Sequence, residues 1–376
     1  MYSTLDLDIR PGSGIGIFDL GASLWTVLDT IRRLPHQYPQ VDIKYDPDTS
    51  STTPIILHLR PHIDLLFSGY HQRLHTIALR KLRDPNPPLT LRYEDVVLSS
   101  PEEVLVRLGV NRTFGPTYPG EDLRYPGVSF TFDEESLKGM AAHPEDRAQE
   151  VKQIVVGQKS ENGQERDALE EVSECLVMYG DISRAVVKVN EGVMLYLYPS
   201  STPPIHVQLG FTTAQDLNVD LGPPLRVHYK EDDRMTIHST SRASHDDNEG
   251  DYFYNYFQHG IDFLISGSTH IVRKVILHTN VPGSPLFQRY KRCPWEIEGA
   301  PEDDEDDAPP RMRFEDRFET ISHFLSPREP PPSMLLDRTD EEDGITLPSS
   351  TTRLHGYDGI ILEVTESSQV VSATLF

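Results

Sequence analysis

Apolar and polar residues alternate in short runs along this chain, and brief stretches with helical spacing separate the runs. A period of two marks half-buried strands, whereas spacings of three and four mark amphipathic helices. Four segments share one plan. In the first, Ser23 is an N-cap candidate before Leu24-Trp25-Thr26-Val27-Leu28-Asp29-Thr30-Ile31, and Ile63-Asp64-Leu65-Leu66-Phe67 leads through Ser68-Gly69 to Leu74-His75-Thr76-Ile77-Ala78-Leu79. In the third, Thr213-Ala214-Gln215-Asp216-Leu217 opens a short helix ended by Leu221-Gly222-Pro223, with strands over 260–265 and 271–277. In the fourth, a helix over 318–325 precedes strands over 359–364 and 370–375. Without a gap, Ile63, Ile261 and Ile360 align, as do Leu74, Val272 and Val371, and Leu79, Leu277 and Phe376.

The second segment carries the best helix signal: Ser100 as cap, Pro101 at the first helical position, Glu102 and Glu103 in the first turn and Gly109 at the end. Its strands fall over 127–132 and 151–156. A unit of one short helix and antiparallel strands buries too little surface to stand alone. The expected class is therefore α+β, with repeated helix-plus-hairpin units packed as twisted sheets and helices on one face. The expected boundaries are 1–95, 96–180, 181–295 and 314–376, with an acidic linker over 296–313. Breakers fill the gaps over 46–54, 84–88, 159–167, 238–250, 298–310 and 328–332.

The formal charge of −24, from 59 acidic against 35 basic residues, repels phosphate backbones and anionic leaflets. Direct nucleic-acid binding is not expected, and membrane contact is expected only through a partner. Twelve acids lie over 296–307 and 340–343, in stretches that read as solvated loops. Cys175 and Cys293 have no paired spacing, and the start of the chain has no basic-then-apolar signal, so a soluble cytoplasmic protein is expected.

Gly12-Ser13-Gly14-Ile15-Gly16 invites a dinucleotide-binding reading, but Ile17 stands where the third glycine belongs and the helix starts only near Ser23. A hairpin turn between strands over 5–9 and 15–20 fits better. His58, His62, His71 and His75 sit on strand and turn without a completing Cys or Glu, so no metal is expected. No nucleophile elbow, phosphate loop or Cys–His pairing is visible, and no cofactor or small-molecule substrate is implied. An enzyme built from distant residues remains an alternative. In Tyr252-Phe253-Tyr254-Asn255-Tyr256-Phe257 a strand would put Tyr252, Tyr254 and Tyr256 on one face, either as core or as an aromatic partner surface. The loop around His278, Asn280, Pro282 and Gly283 reads either as a second part of that surface or as a turn in which His278 or Asn280 caps local backbone.

Asp251-Tyr252-Phe253-Tyr254-Asn255-Tyr256-Phe257, Gly260-Ile261-Asp262, His278-Thr279-Asn280, Pro282-Gly283, Tyr290 and Arg292-Cys293 together resemble the central signature of the phagosome assembly factor family. Leu5-Asp6-Leu7, Phe114-Gly115, Tyr118-Pro119-Gly120, Gly127-Val128-Ser129-Phe130, Leu221-Gly222-x-Pro224, Lys230, Met235-x-Ile237-His238 and Val371-Ser372-Ala373-Thr374-Leu375 follow the family order. Departures are the acidic insert over 298–307, the loop over 340–350, and Leu325-Ser326-Pro327, which lacks the family's glycine. The resemblance implies a non-enzymatic autophagy scaffold, cytoplasmic and recruited with a β-propeller partner to the phagophore assembly site. An adaptor in trafficking at the trans-Golgi network is the alternative it carries.

Overall fold

The computed structural model describes residues 4–49, 51–117, 122–132, 148–159, 171–230, 250–299, 309–326, 328–337 and 351–376. The acidic runs over 300–308 and 340–343, the breaker over 160–167, Tyr118-Pro119-Gly120 and Met235-x-Ile237-His238 lie outside the described residues. The chain divides into two units, Met1–Met178 and Tyr179–Phe376. No helix among the described residues is long and apolar enough to cross a membrane.

The first unit runs β1 (Leu5–Arg10), β2 (Gly14–Ile15), β3 (Phe18–Asp19), α1 (Leu24–Arg33), β4 (Val41–Lys44), β5 (Ile55–Leu59), β6 (Ile63–Phe67), β7 (Leu74–Arg80), β8 (Leu89–Tyr93), β9 (Val96–Ser99), α2 (Arg107–Phe114), β10 (Leu123–Tyr125), β11 (Val128–Phe132) and β12 (Val151–Gly157). The second runs β13 (Ile182–Lys188), β14 (Gly192–Leu197), β15 (Ile205–Gln208), α3 (Ala214–Asp220), β16 (Arg226–Tyr229), β17 (Tyr252–Tyr256), β18 (Ile261–Ile265), β19 (Val272–His278), β20 (Trp295–Glu298), β21 (Arg311–Arg313), α4 (Phe318–Leu325), β22 (Ser333–Asp337), β23 (Thr351–Tyr357), β24 (Ile360–Val364) and β25 (Val370–Leu375). Each unit holds a five-stranded sheet, β3-β2-β1-β8-β9 or β15-β14-β13-β20-β21, in which one pair is parallel, β1 with β8 or β13 with β20. Each also holds a larger sheet, β4-β5-β6-β7-β12-β11-β10 or β16-β17-β18-β19-β25-β24-β23-β22, in which every pair is antiparallel.

The expected α+β class with helices on one face is overturned. Among the described residues strand accounts for 43% and helix for only 12%, so the sheets carry the fold and the helices are attachments to it. The reason lies in length: helices of seven to ten residues are too short to form or to cover a sheet by themselves. The helix expected at Ser100 is also displaced, since Ser100 instead accepts from the Glu102 and Glu103 amides in a turn and α2 begins at Arg107. Leu105 draws the chain away there, because its side chain is buried and its carbonyl receives the Val151 amide.

Each helix is held by one repeated contact. The first helical amide donates to a carbonyl two residues before the last strand of a three-stranded meander: Leu24 to Gln72 (2.8 Å), Arg107 to Gln149 (2.8 Å), Ala214 to His270 (2.9 Å) and Phe318 to Ser368 (3.2 Å). Gln72, His270 and Ser368 are left-handed, with φ of 51°, 55° and 60°. Ile63, Ile261 and Ile360 each begin a central strand and are buried, as their alignment requires. The next alignments slip by one in the fourth segment: Phe67 pairs with Leu74 and Ile265 with Val272, but Val364 pairs with Val370, not Val371. Likewise Ile63 and Ile261 pair with Leu79 and Leu277, and Ile360 with Leu375, not Phe376. That turn is one residue shorter. The Gly14 turn is a hairpin, with Arg10 opposite Gly14.

Truncating the central-strand anchors should therefore weaken both units. Ile63→Ala and Ile360→Ala should each cost about 3 kcal/mol in urea unfolding; a loss under about 1 kcal/mol would place these side chains outside a packed core.

Candidate functional site

The signature region is built on β17, β18 and β19. Tyr252, Tyr254 and Tyr256 share one face of β17, where Tyr252 and Tyr256 are buried and Tyr254 is half-buried. The Tyr252 hydroxyl lies 2.9 Å from His270 Nδ1, and Tyr256 donates to the Gly222 carbonyl at 2.8 Å, tying the end of α3 to the sheet. Burial pushes the Tyr256 phenol well above its ordinary range. Two of the three tyrosines are thus core, and Tyr254 is the one that reaches the surface.

β18 is buried at all five positions, so both of its faces are covered. A carboxylate amid apolar neighbours must be satisfied there, and Asp262 is. Its Oδ1 accepts from Asn255 Nδ2 at 2.8 Å, and its Oδ2 accepts from Tyr290 OH at 2.6 Å and faces His278 Nε2 at 2.9 Å. The tautomer carrying its proton on Nε2 fits this site. The His278 and Tyr290 rings stack with centroids 3.6 Å apart and planes 13° apart. Asp262, His278 and Tyr290 are 4%, 5% and 5% exposed, so the Asp–His–Tyr alignment is closed to any substrate in this conformation and acts as a clasp.

The connection over 279–294 is fastened along its length. The Thr279 carbonyl accepts from Arg292 Nε (2.8 Å) and the Thr279 hydroxyl oxygen accepts from Trp295 Nε1 (3.0 Å), while Asn280, left-handed at φ 51°, accepts from the Gln288 amide through Oδ1 (2.9 Å). Lys291 is ion-paired with Asp181. Gly260 makes this cover possible, since at φ 70° a Cβ there would stand 2.1 Å from the Lys291 carbonyl oxygen. Among the loop candidates, the side chains of His278, Asn280 and Pro282 are buried and only Gly283 is exposed. The structure brings His278 to Asp262 and Tyr290, and Asn280 to the Gln288 amide. Asp262, Tyr290, Asn255, Arg292 and Trp295 belong to this network and are not among the candidates that the sequence offers. A lone acid in Ile261-Asp262-Phe263-Leu264-Ile265 was the available signal for the network.

The first unit holds the counterpart. Asp64 occupies the same second position of β6 and is ion-paired with Arg80, which ends β7 as His278 ends β19. His58, opposite Asp64 as Asn255 is opposite Asp262, lies with Nδ1 2.6 Å from Asp64 Oδ1. The connection after β7 spans only 81–88. The Asp64 and Arg80 side chains are accordingly 18% and 38% exposed, against 6% for each of Asp262 and His278. His62, deeply buried, has its two ring nitrogens 3.0 Å and 2.8 Å from the Lys81 and Pro87 carbonyls. Among the described residues no group of His, Cys, Asp and Glu is arranged to hold a metal ion. Burial pushes the Cys293 thiol far up, which keeps it from being a thiolate.

Two measurements check this geometry. Tyr290→Phe removes one donor from the carboxylate and should cost about 2 kcal/mol, whereas Asp262→Ala orphans three donors and should cost about 4 kcal/mol; a near-neutral Asp262→Ala in urea unfolding would mean that no clasp forms. Burial, with the Lys291 charge adding to it, pushes His259 down to about 4 from 6.5, while Asp181 and a backbone contact at Leu221 act the other way. Between those values the unfolded chain binds the extra proton, so stability from neutral His259 is whole above about pH 6.5 and falls toward pH 4, by on the order of 3 kcal/mol. His259→Phe should flatten that part of the pH profile; an unchanged slope would show that His259 is not its source.

The sequence model of the family described as phagosome assembly factor 1 matches residues 14–376. Similar proteins include a PHAF1 protein of Arabidopsis thaliana, 26% identical, with 98% of this chain and 92% of the relative covered. A PHAF1 protein of Caenorhabditis elegans is 25% identical, with 96% and 90% covered, and one of Drosophila melanogaster is 26% identical, with 99% and 94% covered. No solved structure matches the chain. With the match running through both units, the signature strands and the terminal β25, the chain belongs to the phagosome assembly factor 1 family.

Proposed function

We propose that this chain is a non-enzymatic scaffold of autophagy, working in the cytoplasm and recruited with a β-propeller partner to the phagophore assembly site. The observation that carries the reading is the family match over residues 14–376, which names an assembly factor and a role in phagosome assembly. The charge of −24 supports a division of labour in which the partner meets the lipid and this chain supplies protein contacts. The clasp at Asp262 supports it as well, because its carboxylate is satisfied by Asn255, His278 and Tyr290 and ties two strands and a loop to β18. Loops and edges on such a sheet are suited to recognition.

Affinity capture of the tagged chain from its own cells, read by mass spectrometry, should enrich a β-propeller protein, and deleting the gene should reduce autophagosome number. Capture without any β-propeller protein, or unchanged autophagosomes in the deletant, would overturn the reading. The purified chain alone should not co-sediment with phosphatidylserine or phosphoinositide vesicles at physiological salt, where charges beyond about 8 Å are screened and only contact remains. Tight co-sedimentation would move the lipid-binding step to this chain.

A further inference from the structure

β16 is the first strand of the eight-stranded sheet and is exposed at every position. With Leu225 before it and Lys230 after it, the segment alternates by side-chain chemistry. Leu225, Val227 and Tyr229 are 58%, 42% and 67% exposed. Val227 stands opposite Tyr254 and Tyr229 opposite Tyr252, with the Tyr229 and Tyr252 rings 5.6 Å apart and the Tyr252 and Tyr254 rings 5.4 Å apart. The apolar edge thus continues into the one signature tyrosine that reaches the surface. Arg226, His228 and Lys230 alternate with these residues, are exposed, and have no ion pair among the described residues, in a protein of net charge −24.

The corresponding edge of the first unit is built differently. On β4 the apolar Val41 and Ile43 are half-buried, and the polar face carries Asp42, which is ion-paired with Arg60. The opposite edge of the eight-stranded sheet, β22, exposes Met334 and Leu335 on adjacent positions, hence on opposite faces, and has no cation. An exposed edge strand presents unpaired amides and carbonyls, and natural sheets ordinarily blunt it with charge on both sides or with cover. β16 is instead charged on one side and apolar on the other, which suits an added strand of matching alternation.

We propose that β16 is a docking edge for an extended segment of a partner protein that alternates apolar and acidic residues and adds to the sheet as a further strand. Its apolar side chains would lie against Leu225, Val227 and Tyr229, and its carboxylates would meet Arg226, His228 and Lys230. This rests on the scaffold reading and assigns it a surface.

The probe is a labelled synthetic peptide alternating valine and glutamate, compared with a peptide of the same composition with the glutamates contiguous and with a valine–lysine alternation. Fluorescence polarisation on the full chain should show binding of the first alone, and hydrogen exchange should show new protection of the amides at 225–229. Arg226→Glu with His228→Glu, both at exposed positions, should weaken binding about tenfold with the melting temperature unchanged. Equal binding of the lysine or contiguous peptide, or protection elsewhere, overturns the proposal. So does an edge already protected in the free chain, which would mean that another part of this chain occupies it, or a concentration-dependent dimer abolished by Tyr229→Glu, which would mean a second copy does. The two readings fail separately: capture without a β-propeller protein sinks the scaffold, whereas failure of the glutamate peptide to bind the purified chain sinks the edge alone.

Discussion

The contact that fixes every helix to its sheet is a single hydrogen bond made four times, from the first amide of each short helix to a carbonyl two residues before the last strand of its meander. Helices of this length are marginal in water, and each leaves its first amides without internal partners. Side-chain caps help two of them, Ser23 for α1 and the Thr213–Asp216 capping box for α3. α2 and α4 follow Val106 and Arg317 with no side-chain cap, so the turn carbonyl is what fixes their start. The acceptor stands two residues before the strand in every case: Gln72 before Leu74, Gln149 before Val151, His270 before Val272 and Ser368 before Val370. Shortening the fourth turn by one residue therefore leaves the docking intact, because the count runs back from the last strand.

On this shared frame the two units have parted at one position. Asp64 and Asp262 sit in the same place on a central strand and face the same two neighbouring strands. Where the following connection is short, the carboxylate keeps an arginine that reaches solvent; where it is long, the carboxylate is roofed by Tyr290 and satisfied by neutral donors and a histidine. Burying a carboxylate without such donors would be strongly unfavourable, so the long connection and the three donors stand or fall together. The signature is dense over residues 251–293 because one buried acid requires partners from two neighbouring strands and a loop.

Much of the frame was legible in sequence because it is local. Alternation around Ile63, Ile261 and Ile360 fixes which side chains point inward, and Ser23 and Thr213 mark helix starts. The dominance of sheet was not legible, because a pattern shows that a segment is helical and not whether seven residues of helix can cover a sheet. At Ser100 two signals competed, and a cap followed by glutamates lost to a long-range bond between Leu105 and Val151. The slip of Val371 and Phe376 came from a turn one residue short, which a gapless comparison cannot register. His278 and Asn280 read as a polar turn, and polar turns are ordinarily on the surface. Their burial depends on Tyr290, Arg292 and Trp295 folding back over them, a contact no spacing rule contains.

Charge completes the picture, because the net value hides its own arrangement. Glu296 and Glu298, which open the acidic stretch, are on β20 and are met by Arg311, with Arg184 and Lys188 alongside, so they do not belong to a solvated loop. Exposed pairs such as Arg92 with Asp6 add little stability in water. With the field of the whole chain negative, long-range steering works against any acidic partner, yet at physiological salt that field fades over about 8 Å. A basic strand on an acidic protein can therefore select an acidic segment only at contact, where side-chain register on both faces of an edge must match. Such an arrangement would admit an acidic segment slowly and discriminate among segments by fit more than by rate of encounter.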